Sequence, residues 1–309
     1  MNPTAKIYVA GHTGLVGSAI VRCLGAEGAT NLLLRSRAEL DLTDQRATRE
    51  MFESERPEYV FVAAAKVGGI LENAQKPASF LGENLMIATN VVDAAHRSGV
   101  KKLLFVSSSC SYPKHAPQPL KEEYLLSGAL EPTNEWHAVA KIAGVKMCQA
   151  YRRQHELDAI VAMSTSVYGP GDNFDPASSH LLPALMRRFH EAKRDALPYL
   201  TVWGTGTPRR EFIHSDDLAR ACAFLMQTYS DVEMVNIGWG EDHAILDLAS
   251  MMKEVVGYDA PIVLDTSKPD GTPRKLLDVS KMNALGFRPR IGLREGLESM
   301  YAWYLANER

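Results

Sequence analysis

A chain of 309 residues, 46% hydrophobic and 23% charged, is long enough for two ordinary packed domains. Its formal charge of −3 gives no field to hold a polyanion, and the basic pairs Arg187-Arg188 and Arg209-Arg210 suit a phosphate on a small molecule better than nucleic acid. Four cysteines without Cys-x-x-Cys or His-x-His spacing argue against a metal site or disulfide framework. No apolar run approaches the roughly 18 residues of a membrane span, and the first strand starts too soon after Met1 for a signal peptide, so a cytoplasmic enzyme without a membrane partner is expected.

Strand-like runs alternate with helix-period segments through the first half. Lys6–Ala10 precedes an amphipathic segment with the stripe Val16, Ile20, Val21 and Leu24. Asn31–Leu34, Tyr59–Val62, Leu103–Val106 and Ala159–Ala162 repeat the pattern. Runs apolar on both faces and separated by helices predict a buried parallel sheet with right-handed crossovers, an α/β doubly wound Rossmann architecture. Cys23 and Cys148 fall in helix patterns as small buried residues. After about Tyr168 the regularity breaks at Gly169–Asn173, a helix follows from about Ser179 to Arg194, and Met234–Gly238 reads as another sheet strand. Lys268–Lys275 carries too many turn formers for a helix or central strand and should be a surface loop. The expected division is a dinucleotide-binding domain over residues 1–168, with about 203–240 returning to it, and a smaller discontinuous α/β substrate domain over 169–202 and 241–309.

The segment Gly11-His12-Thr13-Gly14-Leu15-Val16-Gly17 follows the first strand and opens the first helix. Glycines at that spacing allow a tight turn and close approach of backbone to a pyrophosphate, whose charge the helix N-terminus favours. Where an NAD site would carry Asp or Glu at the end of the second strand, this chain has Arg35 and Arg37. Two guanidinium groups suit a 2′-phosphate, which predicts NADP(H); solvated arginines are the alternative. Asp41 is a candidate for the adenine amino group. His137 and Lys141, four residues apart, project from one helix face.

The chain resembles extended short-chain dehydrogenases acting on nucleotide sugars, the GDP-L-fucose synthases in particular. The resemblance rests on Gly11–Gly14, Ala63–Ile70, Ser108–Pro113, Glu131–Glu135, Asp172–Phe174, Arg210–His214 and Lys268–Lys275. It implies epimerisation of GDP-4-keto-6-deoxy-D-mannose at C3 and C5, then NADPH reduction at C4. By the same resemblance Ser108 would bond the 4-keto oxygen, Lys141 the nicotinamide ribose, and Cys110 and His180 would exchange protons with C3 and C5. Arg188, Trp203, Arg210 and Asp270 match GDP-sugar contacts, Ser166 and His180 lie beside the cofactor, and the helices around Asn84–His96 and Trp136–Arg153 match a homodimer interface.

Those roles are chemically coherent. Protons at C3 and C5 are acidic because both carbons neighbour a carbonyl, and removal of either gives an enolate that a preorganised donor stabilises by a few kcal/mol. Inversion needs opposed groups titrating near neutrality, such as a thiol near 8.5 and an imidazole near 6.5. Simpler roles remain open: core packing for Cys110, a cap or surface position for His180, ordinary packing for Trp203, and plain exposure for Arg188 and Arg210.

The chain departs from the family at the proton donor. His137 stands where the family has tyrosine, Trp136 where it has proline, and Ser164 and Ser166 where it has proline and asparagine. Imidazole is shorter than a phenol, and a misplacement near 1 Å costs about a hundredfold. Three readings follow: an epimerase/reductase with His137 or a water as acid, an epimerase with reduction impaired, and a non-catalytic NADP(H)-binding protein. His137 itself is either an acid or an inert pocket wall.

Overall fold

The computed structural model describes residues 1–268 and 270–307; Pro269, in one of the resembling strings, and residues 308–309 lie outside them. In chain order the first half comprises β1 (Ile7–Ala10), α1 (Leu15–Ala26), β2 (Leu32–Leu33), α2 (Gln45–Glu55), β3 (Tyr59–Val62), α3 (Ile70–Gln75), α4 (Pro77–Arg97), β4 (Lys102–Ser108), α5 (Glu135–His155) and β5 (Ala159–Ser164). The second half adds β6 (Ser166–Tyr168), α6 (Leu181–Arg194), β7 (Leu200–Trp203), β8 (Arg209–His214), α7 (Ser215–Thr228), β9 (Val235–Ile237), β10 (Asp242–Ala244), α8 (Ile245–Val256), β11 (Ile262–Asp265), β12 (Arg274–Lys275), α9 (Ser280–Ala284) and α10 (Leu293–Asn307).

Six strands form a parallel sheet in the order β2-β1-β3-β4-β5-β9. Successive side chains point to opposite faces, so each strand feeds two cores. From β1, Ile7 and Val9 pack with Ile20 and Leu24 of α1 and Leu218 and Leu225 of α7. Tyr8 and Ala10 face the other way, toward Phe52 of α2 and Val91 of α4. A third core, with Leu182, Phe189, Leu200, Leu248, Met252 and Leu297, lies under the second half. There β8 pairs with β6, β10 and β12, while β7 and β11 form a separate parallel pair.

The strand order reverses between β2-β1 and β3, so the crevice outside the carboxyl ends of β1 and β3 is the place where a doubly wound sheet binds ligands. The structure moves three sequence expectations. Arg274 and Lys275 form a short edge strand on β8, because the turn formers end at Pro273 and leave two residues free to pair. The stretch 203–240 divides: β8 joins the second sheet, whereas α7 and β9 lie with the first. Cys23 is half-exposed on α1, while Cys148 is buried.

Helix α5 lies unusually close to β4. A Cβ at Gly144 would sit 2.4 Å from the Phe105 ring, so no side chain fits between helix and strand. Gly144→Ala should destabilise the protein by about 1–3 kcal/mol, overpacking outweighing the gain in helix propensity of roughly 1 kcal/mol. Chemical denaturation measures this; an equal or higher midpoint would show that the layer has room.

Candidate active site

The loop after β1 is shaped by contacts that only hydrogen atoms permit. Gly11 has φ +81°, and a Cβ there would lie 2.7 Å from the Ala64 backbone just beyond β3. At Gly17 a Cβ would be 2.0 Å from the Gly11 carbonyl oxygen. Residues 12–16, His12, Thr13, Gly14, Leu15 and Val16, therefore wrap tightly into α1, whose N-cap Gly14 offers no side chain to its free N–H groups. His12 Nδ1 is buried without a partner. A glycine cradle, open helix N–H groups and an orphaned polar atom together fit a dinucleotide pyrophosphate.

At the end of β2, Arg35 pairs with Glu55 at 2.8 Å and Arg37 with Glu83 at 3.2 Å. Asp41 accepts from Thr43 N and Oγ1 at 2.9 and 2.8 Å and lies 3.5 Å from Arg37. The cations are thus gathered on one rim, with Asp41 engaged in its own turn.

A second group of residues assembles where β4 ends. Ser108 caps a short 3-10 turn, Ser109–Ser111, its Oγ accepting the Cys110 N–H at 3.4 Å. Tyr112 Oη donates to Asn236 Oδ1 at 2.6 Å, and Asn236 Nδ2 donates to Leu120 and Asp278 carbonyls at 2.8 and 3.2 Å. This buried hub ties the Cys110 turn to the segment just after β12.

On α5 the positions His137, Lys141, Gly144 and Cys148 form one stripe at helical spacing. Gly144 brings the stripe onto β4, so Lys141 lies 4.9 Å from the Phe105 ring centroid and donates to the Val106 carbonyl at 2.9 Å. One turn earlier His137 lies beside the thiol of Cys110 and helps hold its pKa down. Phe80 and Asn84 of α4 back the ring, with Asn84 Nδ2 3.4 Å from His137 Nδ1. Asn84 also holds the loop after β3, accepting from Lys66 N at 2.8 Å and donating to its carbonyl at 3.0 Å.

That loop in turn places His180. Gly69 N donates to Ser178 O at 2.9 Å, and a Cβ on Gly69 would lie 3.0 Å from Ser179 O. His180 follows as the N-cap residue of α6, one to two residues later than the sequence predicted for the helix start, and its side chain makes no capping bond. It opens into the crevice near enough to His137 to feel that ring's charge.

The remaining candidates line the second half. Arg209 and Arg274 both grip Asp242, and Arg210, on the opposite face of β8, turns instead to the Thr272 carbonyl at 2.6 Å. Arg188 of α6 donates to Thr201 O, two residues before Trp203, which is 66% exposed with Lys268 5.7 Å from its ring centroid. Asp270 spends both carboxylate oxygens on Thr205, at 2.9 and 2.7 Å, and so holds the turn after Trp203. Ser166 is exposed on β6, whereas Ser164 is buried and donates to Ser107 O at 3.0 Å.

Electrostatics mark the Cys110 cluster. Burial pushes the thiol up, but the charge and hydrogen bond of His137, then Lys275 and Ser108, bring it down to about 6. Lys275, which the residue pattern alone did not single out, is held low by burial against the pull of Cys110. Its only signal in the sequence was a cation closing a Pro-Gly-rich run. His180 is lowered by burial and then by His137. Burial also lowers Arg188 and Arg210, which favours a counter-anion there. Among the described residues no group of His, Cys, Asp and Glu could hold a metal ion.

Burial lowers Lys141 from 10.5 to about 8, with Cys110 offsetting part of the effect. The unfolded chain then binds more protons between about pH 8 and 10.5, so this residue makes stability rise with pH across that window, and its cost of about 3 kcal/mol is complete below it. Lys141→Met should flatten the dependence; parallel denaturation series at pH 7 to 10.5 would refute this if both proteins tracked together.

Residues 7–238 match the model of the NAD dependent epimerase/dehydratase family. The chain is 59% identical to GDP-L-fucose synthase 1 of Arabidopsis thaliana, over 98% of its own length and 94% of the relative's. A GDP-6-OMe-4-keto-L-xylo-heptose reductase from C. jejuni superposes with a TM-score of 0.94 at 39% identity, covering 100% of this chain and 99% of that one. A GDP-L-fucose synthetase from Naegleria fowleri bound to NADP gives 0.93 at 28%, covering 99% and 94%. A glycine cradle at the sheet's reversal point and matches over nearly the whole length agree: the chain belongs to the NAD dependent epimerase/dehydratase family.

Proposed function

We propose that the chain is an NADPH-dependent GDP-sugar epimerase/reductase that converts GDP-4-keto-6-deoxy-D-mannose to GDP-L-fucose or a closely related GDP-deoxysugar. The observation that carries this is the gathering of Ser108, Cys110 and Lys141 around the carboxyl end of β4, with His180 close enough to His137 to feel its charge. The high identity to a GDP-L-fucose synthase supports the substrate, and the NADP-bound neighbour supports the cofactor.

In this reading Gly11 to Gly17 hold the pyrophosphate, Arg35 and Arg37 exchange their carboxylate partners for the 2′-phosphate, and Lys141 steadies the nicotinamide ribose. When bound, the cofactor supplies a hydride to C4. Arg188 and Arg210 take the diphosphate and Trp203 offers its exposed face to guanine. Asp270 contributes by holding the turn that presents Trp203. Ser108 donates to the 4-keto oxygen, where enolate charge collects. Cys110 removes the proton from C3 or C5, S–H forming as C–H breaks, and His180 delivers a proton to the opposite face. The residue ranges 1–168 with about 203–240, and 169–202 with 241–309, are the proposed cofactor and substrate domains, with β8 contributing to the latter.

A second reading is an epimerase whose reduction step is weak, supported by His137 lying against Asn84 and Phe80 and beside Cys110, with an imidazole that reaches less far than a phenol. The proposal extends to a cytoplasmic homodimer packed through α4 and α5, which leave Met86, Trp136 and Val139 exposed; sedimentation at the mass of a single 34.1 kDa chain would reject the dimer. Among the described residues no helix is long and apolar enough to cross a membrane.

Incubation with the 4-keto-6-deoxy GDP-sugar in deuterated water should place deuterium at C3 and C5, and added NADPH should then be oxidised. Deuterium without NADPH oxidation selects the second reading; neither, with NADPH still bound, rejects both. His137→Tyr should raise the reduction rate by about tenfold or more, the scale of a restored general acid. No change would show that position 137 is not the acid's position.

A further inference from the structure

Arg210 projects from β8, but its guanidinium rests on another part of the chain. Nη1 donates to two backbone carbonyls, Arg209 O at 2.7 Å and Thr272 O at 2.6 Å, and a Cβ on Gly271 would lie 3.1 Å from Nη2. The place of the cation therefore depends on where residues 271–272 are fixed. The turn is anchored at both ends, by Asp270 on Thr205 and by the pairing of Arg274 and Lys275 with β8. At its middle, Thr272 Oγ1 donates to Glu131 Oε2 at 3.0 Å, across 141 positions of sequence.

Glu131 is itself tightly held. The same Oε2 accepts from Lys114 Nζ at 3.1 Å, and Oε1 accepts from N and Oγ1 of Thr133, both at 3.4 Å. The Glu131 carbonyl accepts from Asn134 N at 3.2 Å, at the N-cap of α5, and Lys114 N donates to Ala129 O at 2.9 Å. One carboxylate thus joins the segment after the Cys110 turn, the approach to α5 and the turn under Arg210. Burial pushes the carboxyl up, but the bonds from Lys114, Thr272 and Thr133 hold it below its usual range, so it is ionised at neutral pH.

We infer that Glu131 is a positioning residue for the GDP-sugar: its carboxylate pins Thr272 and so fixes the carbonyl that orients Arg210 toward the diphosphate. The inference rests on the GDP-sugar reading above. Thr272 transmits the constraint because its hydroxyl and its carbonyl serve different partners, Glu131 and Arg210. Lys114 answers the carboxylate's charge, so Glu131 orders the turn without cancelling the guanidinium's charge. A cation ordered before the ligand arrives loses less freedom on binding, which strengthens affinity. A diphosphate far from the reacting carbons is held alike before and during the reaction, so the effect falls on KM and not on kcat.

GDP alone is the first probe, its Kd measured by titration calorimetry. Glu131→Ala and Thr272→Val should each weaken GDP by about tenfold or more, the scale of one hydrogen bond to a charged group. Glu131→Gln should stay within about threefold of the parent, because an amide oxygen still accepts from Thr272. Added to Arg210→Met, Glu131→Ala should cost nothing further, since residues that act through one group do not add. With the 4-keto-6-deoxy GDP-sugar, KM should rise in step with the GDP Kd, while deuterium uptake at saturating sugar stays within about threefold. Hydrogen exchange of the ligand-free protein is the second probe: residues 270–275 should exchange about fivefold faster or more in Glu131→Ala, with β1 unchanged. Parent-like GDP affinity in Glu131→Ala, full additivity with Arg210→Met, or unaltered exchange at residues 270–275 overturns the inference and leaves the enzyme reading intact. A parent protein that binds no GDP defeats the GDP-sugar reading, and the role of Glu131 toward Arg210 falls with it.

Discussion

The contact between Gly144 and the Phe105 ring sets the geometry on which the rest of the site depends. Without a side chain at that position, α5 descends onto β4 until its stripe touches the strand. Lys141 then finds a backbone carbonyl and an aromatic face instead of solvent, and His137, a turn above, comes level with the turn that carries Cys110. A helix displaced outward by one methyl group would part the thiol from the imidazole, because protein interiors are close-packed and transmit such shifts.

The opposite wall is built by alternation. Along β8 successive side chains point to opposite faces, so Arg209 joins Arg274 on the buried carboxylate of Asp242 while Arg210 is left for the crevice. Glu211, buried beneath, accepts from Gly240 N and Leu277 N at 2.7 and 3.0 Å and locks the following segments to the sheet. Lys275 pairs with Arg210 in register on β12 and so arrives beside Cys110 from a distant part of the chain. The thiol is therefore enclosed by groups from β4, α5 and β12, and it is this enclosure that offsets the desolvation cost of burying a thiolate.

The cluster also gives physical content to the imidazole at position 137. Its ring lies beside the Cys110 turn and helps hold the thiol's pKa down. Phe80 and Asn84 close behind the ring, so its position is set by packing as well as by the thiol.

Much of this was legible in the residues themselves. Parallel-sheet strands declare themselves by being apolar on both faces, the glycine loop by its place between strand and helix, and the His137–Lys141 face by helical spacing, since each is a local pattern that backbone geometry reads directly. The short strand Arg274–Lys275 and the membership of Arg209–His214 in the second sheet were not legible, because strand pairing depends on which distant segment supplies a partner. Nor did local pattern show that Asp41 and Asp270 would spend their carboxylates on neighbouring threonines, or that Lys275 would join the thiol. The sequence by itself determined the alternating strands and helices of the first sheet and the glycine loop between β1 and α1; only the tertiary structure decided which distant side chains come together, because hydrogen bonds and charge act over a few ångströms and bring together groups more than a hundred residues apart.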